Sequence, residues 1–565
     1  MRFQQGFERR FEALRSRYER LLEGALAAPR RFIASFLIVC IGSLALLPLL
    51  GRDFFPQIDS GQIRLHMRAK TGTRIEQTAR LADEIENSIR TVIPANELTT
   101  IVDNIGLPTS GINLSYSSSA PIGTADADIL ITLNEKHKPT AQYVAKLRQS
   151  LGEQFPAVTF SFLPADMVSQ ILNFGLPAPI DIQVVGNNLD DNRAFADTLL
   201  NQLRNVKGLV DLRIQQPDDQ PAIAVDVDRT KALQAGLQQQ DVARSLLIAL
   251  SGSSQTSPNF WLNPQNGVSY PVTTEVPQYD INSLQALANI PLSSTFTPGT
   301  GGSGSKAGGV NGILGTLGTF SRTTQQAVVT HYNVQPAIDI YGSVQGRDLG
   351  GVASDVTRIV DAAKANLPRG ARVVIRGQVQ TMESSFSGLA TGIAFAVLLV
   401  YLLMVINFQS WIDPLVIVCG LPGAMAGIVW MLFLTHTTLS VPALTGAMMC
   451  IGVATANSIL VVSFARERLA QGMSPLQAAL AAGAGRFRPV LMTALAMMIG
   501  MVPMALGMGD GGEQNAPLGR AVIGGLMIGT IATLMFLPVV FALVHGWLAK
   551  REPSGMTQAE LDLLK

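Results

Sequence analysis

The sequence predicts an α+β membrane protein: six transmembrane helices plus two ferredoxin-like (βαββαβ) units, the second split by an insert. Three observations carry this reading. Six apolar runs, at 32–50, 387–407, 414–434, 441–464, 490–508 and 521–543, contain no Asp, Glu, Lys, Arg or His. Each approaches the ~20 residues that cross ~30 Å of hydrocarbon as a helix. The long stretch between the first two runs reads twice as β-α-β-β-α-β. Basic residues gather at the ends of runs that six crossings would bring to one side.

Composition agrees. The chain has 565 residues, 47% hydrophobic and 15% charged, with a mean hydropathy of +0.28. Soluble domains carry about 25% charged residues. The net charge of +1 points to no nucleic-acid partner. The cysteines, Cys40, Cys419 and Cys450, all lie inside apolar runs, so the long polar segment has no disulfide framework. The five histidines show no metal-ligand spacing, and no cofactor or resident metal is expected.

Residues 1–31 carry eight arginines along with glutamates, and the apolar run after them is 19 residues long. That is too long for a signal-peptide core, so 32–50 reads as a retained anchor. Phe3, Phe7, Phe11, Leu14, Tyr18 and Leu22 share one face of a leading amphipathic helix. Such a helix either lies on the cytoplasmic membrane surface or packs on protein. Arginines at 466, 468, 486 and 488, with Lys550 and Arg551, place the 466–489 connection and the tail (551–565) on the same side as residues 1–31. The polar segment from 51 onward then lies outside.

Within that segment, 62–68, 98–104, 127–133 and 157–163 alternate as strands, while 73–92 and 140–154 have helical periodicity. They make the first unit, within 51–165. The second returns in two pieces, 166–216 and 337–385: β-α-β at 180–185, 192–205 and 209–215, then at 337–341, 351–365 and 372–376. The insert, 217–336, has its own strand (222–227), helix (240–250) and the tract "PGTGGSGSKAGGVNGILGTLG". So Gly-rich a tract is expected to be an exposed loop or arm, not a core. Residues 386–550 hold the remaining five spans.

Four motifs carry a resemblance: "GRDFFPQIDSGQI" (51–63), "NFQSWIDPL" (407–415), "GRFRPVLMTALAMMIGMVPMALG" (485–507) and "GDGGEQNAPLGRAVIGGL" (509–526). In this order, and with the two split units, the chain resembles the C-terminal half of the resistance–nodulation–division (RND) efflux permeases, in the branch exporting hydrophobic and amphiphilic compounds. The resemblance implies a proton-driven inner-membrane antiporter, not an enzyme. It implies a homotrimer whose ectodomain, in the periplasm, consists of two porter subdomains and an inserted docking subdomain. Its partners would be a periplasmic adaptor, an outer-membrane channel and hydrophobic small-molecule substrates.

The resemblance also sets expectations for sites. Ala456 stands where the commonest family pattern has a lysine, beside the polar Thr455, Asn457 and Ser458. Those three, with Arg486 and Thr493 on the next span, are the candidate proton relay. Arg486 and Thr493 are two helical turns apart, on one face. Helix-helix glue and a positive-inside anchor explain the same residues without transport. The substrate region falls on Ser117, Ser118, Ser119, Pro121, Phe174, Ile180 and Ile182, with Phe160 and Phe162 more consistent with core. Met67 and Met167 are a weak hint of soft-metal export. Asp413 and Glu467 read as interfacial groups. No ionisable residue lies within the runs themselves, so proton coupling is expected to need a missing N-terminal half, on another chain or lost. Two further readings are a truncated, non-transporting fragment or structural subunit, and a lipid or protein export factor on the same plan. The insert disfavours the last.

Overall fold

The computed structural model describes residues 2–107, 121–293, 310–509 and 511–549. The chain divides into two compact units: Pro217–Ala327 is one, and the rest of the chain the other.

The larger unit opens with helices α1 (Arg2–Ala27) and α2 (Pro29–Leu44). Pro29 opens α2 where its missing N–H costs nothing. The first sheet follows: β1 (Gln62–Arg68), α3 (Ile75–Val92), β2 (Leu98–Ile105), β3 (Asp126–Leu133), α4 (Thr140–Gln154) and β4 (Thr159–Leu163). Its strand order is β2-β3-β1-β4, all antiparallel. Alternation in β1 puts Ile63, Leu65 and Met67 against α3 and α4, and Arg64, His66 and Arg68 on the other face.

A short helix, α5 (Met167–Leu172), leads to β5 (Ile180–Val185), α6 (Leu189–Leu203) and β6 (Leu209–Ile214). The smaller unit holds β7 (Gln220–Val227), α7 (Arg229–Gln234), α8 (Gln239–Ser251), β8 (Asn259–Leu262), β9 (Ser269–Val272), α9 (Leu284–Ala288), β10 (Pro291–Ser293), β11 (Val310–Ile313), α10 (Leu314–Leu317) and β12 (Gly318–Gln325). The chain then returns as β13 (Thr330–Tyr332), β14 (Gln335–Val344), α11 (Leu349–Ala363) and β15 (Arg372–Gly377). This second sheet has β14 beside β5, β5 beside β15, and β13 and β6 sharing the outer edge of β14.

β15 runs straight into α12 (Gln378–Phe408). Helices α13 (Ile412–Val418), α14 (Leu421–Leu434), α15 (Val441–Ala470), α16 (Pro475–Ala505), α17 (Ala516–Ile531) and α18 (Leu537–Ala549) complete the chain, with a π-helical turn, Ala532–Phe536, joining the last two. Six helical segments among the described residues are long and apolar enough to cross a membrane. Glycines let the inner ones close up. A Cβ on Gly524 would strike Met431 and the Gly427 carbonyl, and one on Gly525 would strike the Cys450 sulfur. The "VIGG" of the fourth motif is therefore a close helix crossing.

One expectation changes and one open alternative is decided. Residues 310–317 of the Gly-rich tract form a strand and a helical turn, and Leu314 and Leu317 sit in the core of the smaller unit. Spaced leucines inside the tract overcame the backbone cost of its glycines; 294–309 lie outside the described residues. The leading helix packs on protein: Tyr18, Leu22 and Leu26 join the core formed by α15, α16 and α18, and the Tyr18 hydroxyl donates to the Leu534 carbonyl at 2.7 Å.

Candidate functional site

Two polar constellations stand out, one within the helices and one between the sheets. In the helices, α15 buries Thr455, Asn457 and Ser458 side by side. Thr493 of α16 donates to Asn457 Oδ1 at 3.1 Å. Ser458 Oγ lies 3.2 Å from Thr533 Oγ1, in the π-helical turn. Thr455 Oγ1 is buried without a partner. The structure thus pairs Asn457 with Thr493 and Ser458 with Thr533, a polar layer beside which Thr455 stands unbonded. Arg486 stays apart, its guanidinium 4.9 Å above the Phe464 ring. Two helical turns separate it from Thr493 by roughly 10 Å along the axis. Ala456 faces away from the layer and is exposed. None of the layer's side chains titrates in the physiological range. It can orient and hydrogen-bond a proton carrier but cannot be one. Thr533 was not foreseeable, because nothing in "ATLMF" announces a π turn.

At the edge of the helices, Asp413 is 2% exposed and accepts from His545 Nε2 at 2.9 Å, with Arg466 at 3.4 Å. It ties α13 to α15 and α18, a structural use of the "SWIDPL" motif.

Between the sheets, the polar faces of β1 and β3 meet β6 and the start of the second sheet. Arg64 donates to Asp128 Oδ2 at 2.8 Å, and His66 Nδ1 lies 2.7 Å from Asp128 Oδ1. Burial raises the Asp128 carboxyl, but His66 and Arg64 outweigh it and hold it below the usual carboxylate range. Arg68 grips Asp126 at 2.8 Å and reaches across to the Gln215 carbonyl at 3.1 Å. Asp211, in a bulge of β6 with φ 55°, points back: both its oxygens accept from Arg148, at 2.7 and 2.8 Å, and Oδ2 also accepts the Phe162 N–H at 3.0 Å. A charged seam of bonds thus crosses from one sheet to the other. Sequence reading passed over it because alternating Arg, His and Asp on strands look like an ordinary solvated face.

The candidate substrate residues do not converge. Ile180 and Ile182 are 1% and 0% exposed, in the core between β5 and the helices α6 and α11. Alternation along β5 sends them to the helix-covered face. Phe174 is 73% exposed after α5, with φ 55°. Pro121 is buried beside the start of β3, whereas Ser117, Ser118 and Ser119 lie outside the described residues. Phe162 is buried under Arg148 and Phe160 packs on the first core. Met67 is fully buried and Met167 is 76% exposed, so they do not form a pair. Among the described residues no group of three His, Cys, Asp or Glu side chains could hold a metal ion.

Known proteins place this geometry. The AcrB/AcrD/AcrF family model matches residues 1–545. The cobalt-zinc-cadmium resistance protein CzcA of Cupriavidus metallidurans is 26% identical over 549 residues, covering 94% of this chain and 48% of that protein. The multidrug resistance protein MdtC of Proteus mirabilis is 25% identical over 546 residues, covering 96% and 50%. The crystal structure of a heavy metal efflux pump superposes with a TM-score of 0.77 at 23% identity, over 94% of this chain and 52% of that one. The chain spans about half the length of the curated relatives it matches.

These findings correct the functional expectation. Metal-resistance pumps match more strongly than the multidrug relatives, so export of hydrophobic or amphiphilic compounds is not supported. The reading as a lipid or protein export factor gains no support from these relatives. With a family model matched over almost its whole length, α+β architecture and several long apolar helices, the chain belongs to the AcrB/AcrD/AcrF family of RND permeases.

Proposed function

We propose that the chain serves efflux of a heavy-metal cation in exchange for protons, its two sheets forming porter subdomains in the periplasm. The smaller unit would be the docking subdomain, in a trimer that meets an adaptor and an outer-membrane channel. The observation that carries the cargo class is the His66–Asp128 pair, 2.7 Å apart in the seam. A carboxylate on Nδ1 fixes the imidazole tautomer and leaves Nε2 as the nitrogen that would meet a passing cation, as behind a zinc-type ligand. Cobalt, zinc and cadmium accept such nitrogen ligands. The cation would pass the seam rather than reside there. The polar layer of Thr455, Asn457, Ser458 and Thr493 would serve the proton step by orienting its carrier, with Arg486 as a cytoplasmic-side anchor.

The test is cation uptake into everted membrane vesicles containing the chain under an imposed pH gradient, read with a zinc-sensitive dye. Zinc or cobalt should accumulate and collapse the gradient. His66→Gln should slow cation uptake at least tenfold. Thr493→Ala should weaken the coupling between cation and proton. Vesicles with correctly inserted protein that move none of zinc, cobalt and cadmium would overturn the cargo assignment.

A further inference from the structure

β5 is the inner strand of the second sheet, and its two faces differ. Ile180, Ile182 and Val184 pack under α6 and α11. Asp181 and Gln183 point the other way. Register places Tyr341 of β14 and Arg376 of β15 opposite Asp181, and Asp339 opposite Gln183. Asp181 and Asp339 are thus diagonal neighbours on one ladder, a spacing that side chains span. They are 0% and 2% exposed, and Gln183 is 8% exposed.

Neither carboxylate has an ion-pair partner among the described residues. Arg376 stacks on Tyr332 at 3.8 Å instead, and Arg213 lies over the Tyr341 ring at 5.6 Å. One oxygen of each acid is served: Gln183 Nε2 donates to Asp181 Oδ2 at 2.9 Å, and Gln216 Nε2 to Asp339 Oδ2 at 2.6 Å. The rest are not. Asp181 Oδ1, Asp339 Oδ1 and Gln183 Oε1 are all buried acceptors without a donor. Two buried carboxylates, each with an unserved oxygen and no ion pair to neutralise it, favour something positive between them.

A divalent metal suits the place poorly. Three oxygens fall short of the six to eight that a hard cation takes. Zinc, cobalt and nickel prefer nitrogen or sulfur. Arg213 and Arg376 project from the same face and repel a second dication. A proton fits. Placed on either Oδ1, it turns an acceptor into a donor and removes the repulsion between the acids.

We propose that Asp181 and Asp339 form a proton-binding site in the ectodomain, sharing one proton in the closed arrangement and yielding it to water when the seam opens. The charged and titratable groups facing the pair are Tyr341, Arg376, Arg213 and Tyr332, with Arg68 and Asp128 beyond Arg213 from the first sheet. Burial raises the affinity of both acids for a proton, and the charge of Asp339 raises that of Asp181 further, outweighing the Gln183 bond and Arg376 charge at Asp181 and the Gln216, Thr330 and Gln183 bonds at Asp339. Opening would rehydrate the carboxylates and remove that preference. The step moves one H⁺ between a carboxyl and water, with no change of oxidation state. This site is independent of the cargo and would exist whichever substrate the chain moves.

The test is infrared spectroscopy of the full chain in lipid nanodiscs at neutral pH, with and without ¹³C-aspartate. A protonated-carboxyl band that shifts on labelling, and is lost in both Asp181→Asn and Asp339→Asn, is expected. Thermal unfolding against pH supplies the second readout. A shared proton held in the fold, at pH values where the unfolded acid has lost it near ~3.9, makes stability fall as pH rises above that value. Each asparagine variant should abolish this slope, which amounts to about one proton. A labelled chain without the band overturns the proposal and requires no variant to fold. So does a slope that persists in both variants. Zinc or magnesium chloride should shift the unfolding temperature of the chain and of both variants alike, if at all; stabilisation by either metal that the variants lose would replace the proton with a cation.

Discussion

Asp211 holds the two sheets together from a strained position. A non-glycine residue at φ 55° costs roughly 1 kcal/mol, a cost retained where the surroundings demand it. Here they do: the left-handed turn aims one carboxylate at Arg148 and at the Phe162 N–H on the other sheet. The Asp211 side chain is 3% exposed and that of Arg148 is 19% exposed. Asp211→Ala should destabilise the chain by about 2–4 kcal/mol, because it leaves the largely buried Arg148 guanidinium without its counter-charge and an edge N–H unpaired. Amide exchange at Phe162 should speed up well before global unfolding, and protection unchanged there would remove Asp211 from the latch. Neither the strain nor the latch was legible. In the sequence Asp211 is one more polar residue of the strand "LVDLRI", and only the bulge against β14 turns it outward.

Helices that pack closely read differently from helices that merely alternate. α1 lies on α16 because position 483 is glycine: a Cβ there would stand 2.5 Å from the Tyr18 hydroxyl oxygen and crowd Leu22. Gly483→Val should detach the leading helix at a cost of about 2 kcal/mol, the range for overpacking. Faster proteolysis of residues 2–27, with the rest of the chain intact, is the measurement; unchanged digestion would count against the contact. The apolar stripe on α1 was plain from its spacing, but its partner was not, since a lipid surface and a small-residue helix face make the same demand on the stripe. Strands told the same half-truth. The alternation of β1 and β5 marked their two faces correctly, so Leu65 and Ile182 are core. That inference also shows why Ile182 was a poor substrate candidate. A single strand does not say which face its sheet covers with helices. The polar layer was legible as "TANS" within an apolar run, and Thr493 as its neighbour, because hydroxyl and amide groups at membrane depth need partners. Thr533 depended on a helix irregularity that composition does not encode.

Within the larger unit, two backbone links among the described residues connect the membrane helices to the second sheet. One is the continuous passage from β15 to α12. The other is "GRDFF". Gly51 and Asp53 bond to Leu439, just before α15, while the Arg52 N–H donates to Asp348 and Asp53 accepts the Leu349 N–H at the start of α11. Burial raises the Asp53 carboxyl, against the Leu349 N–H that lowers it. Asp53→Ala should leave both the spans and the sheets folded but uncouple them. Cation uptake should fall several-fold while thermal unfolding shifts by about 1 kcal/mol, the worth of one hydrogen bond; full uptake would show that the joint transmits nothing. The smaller unit stands in a different relation to the chain. Its two ends meet, the Ala327 N–H donating to the Pro217 carbonyl at 3.1 Å, and β7 and β12 run paired from Gln220 and Gln325 inward. Entry and exit through one doorway make the unit a cassette: a short turn could close the gap it leaves, and a foreign domain with adjacent termini could take its place. Lineages could therefore exchange this piece without redesigning the sheet that carries it.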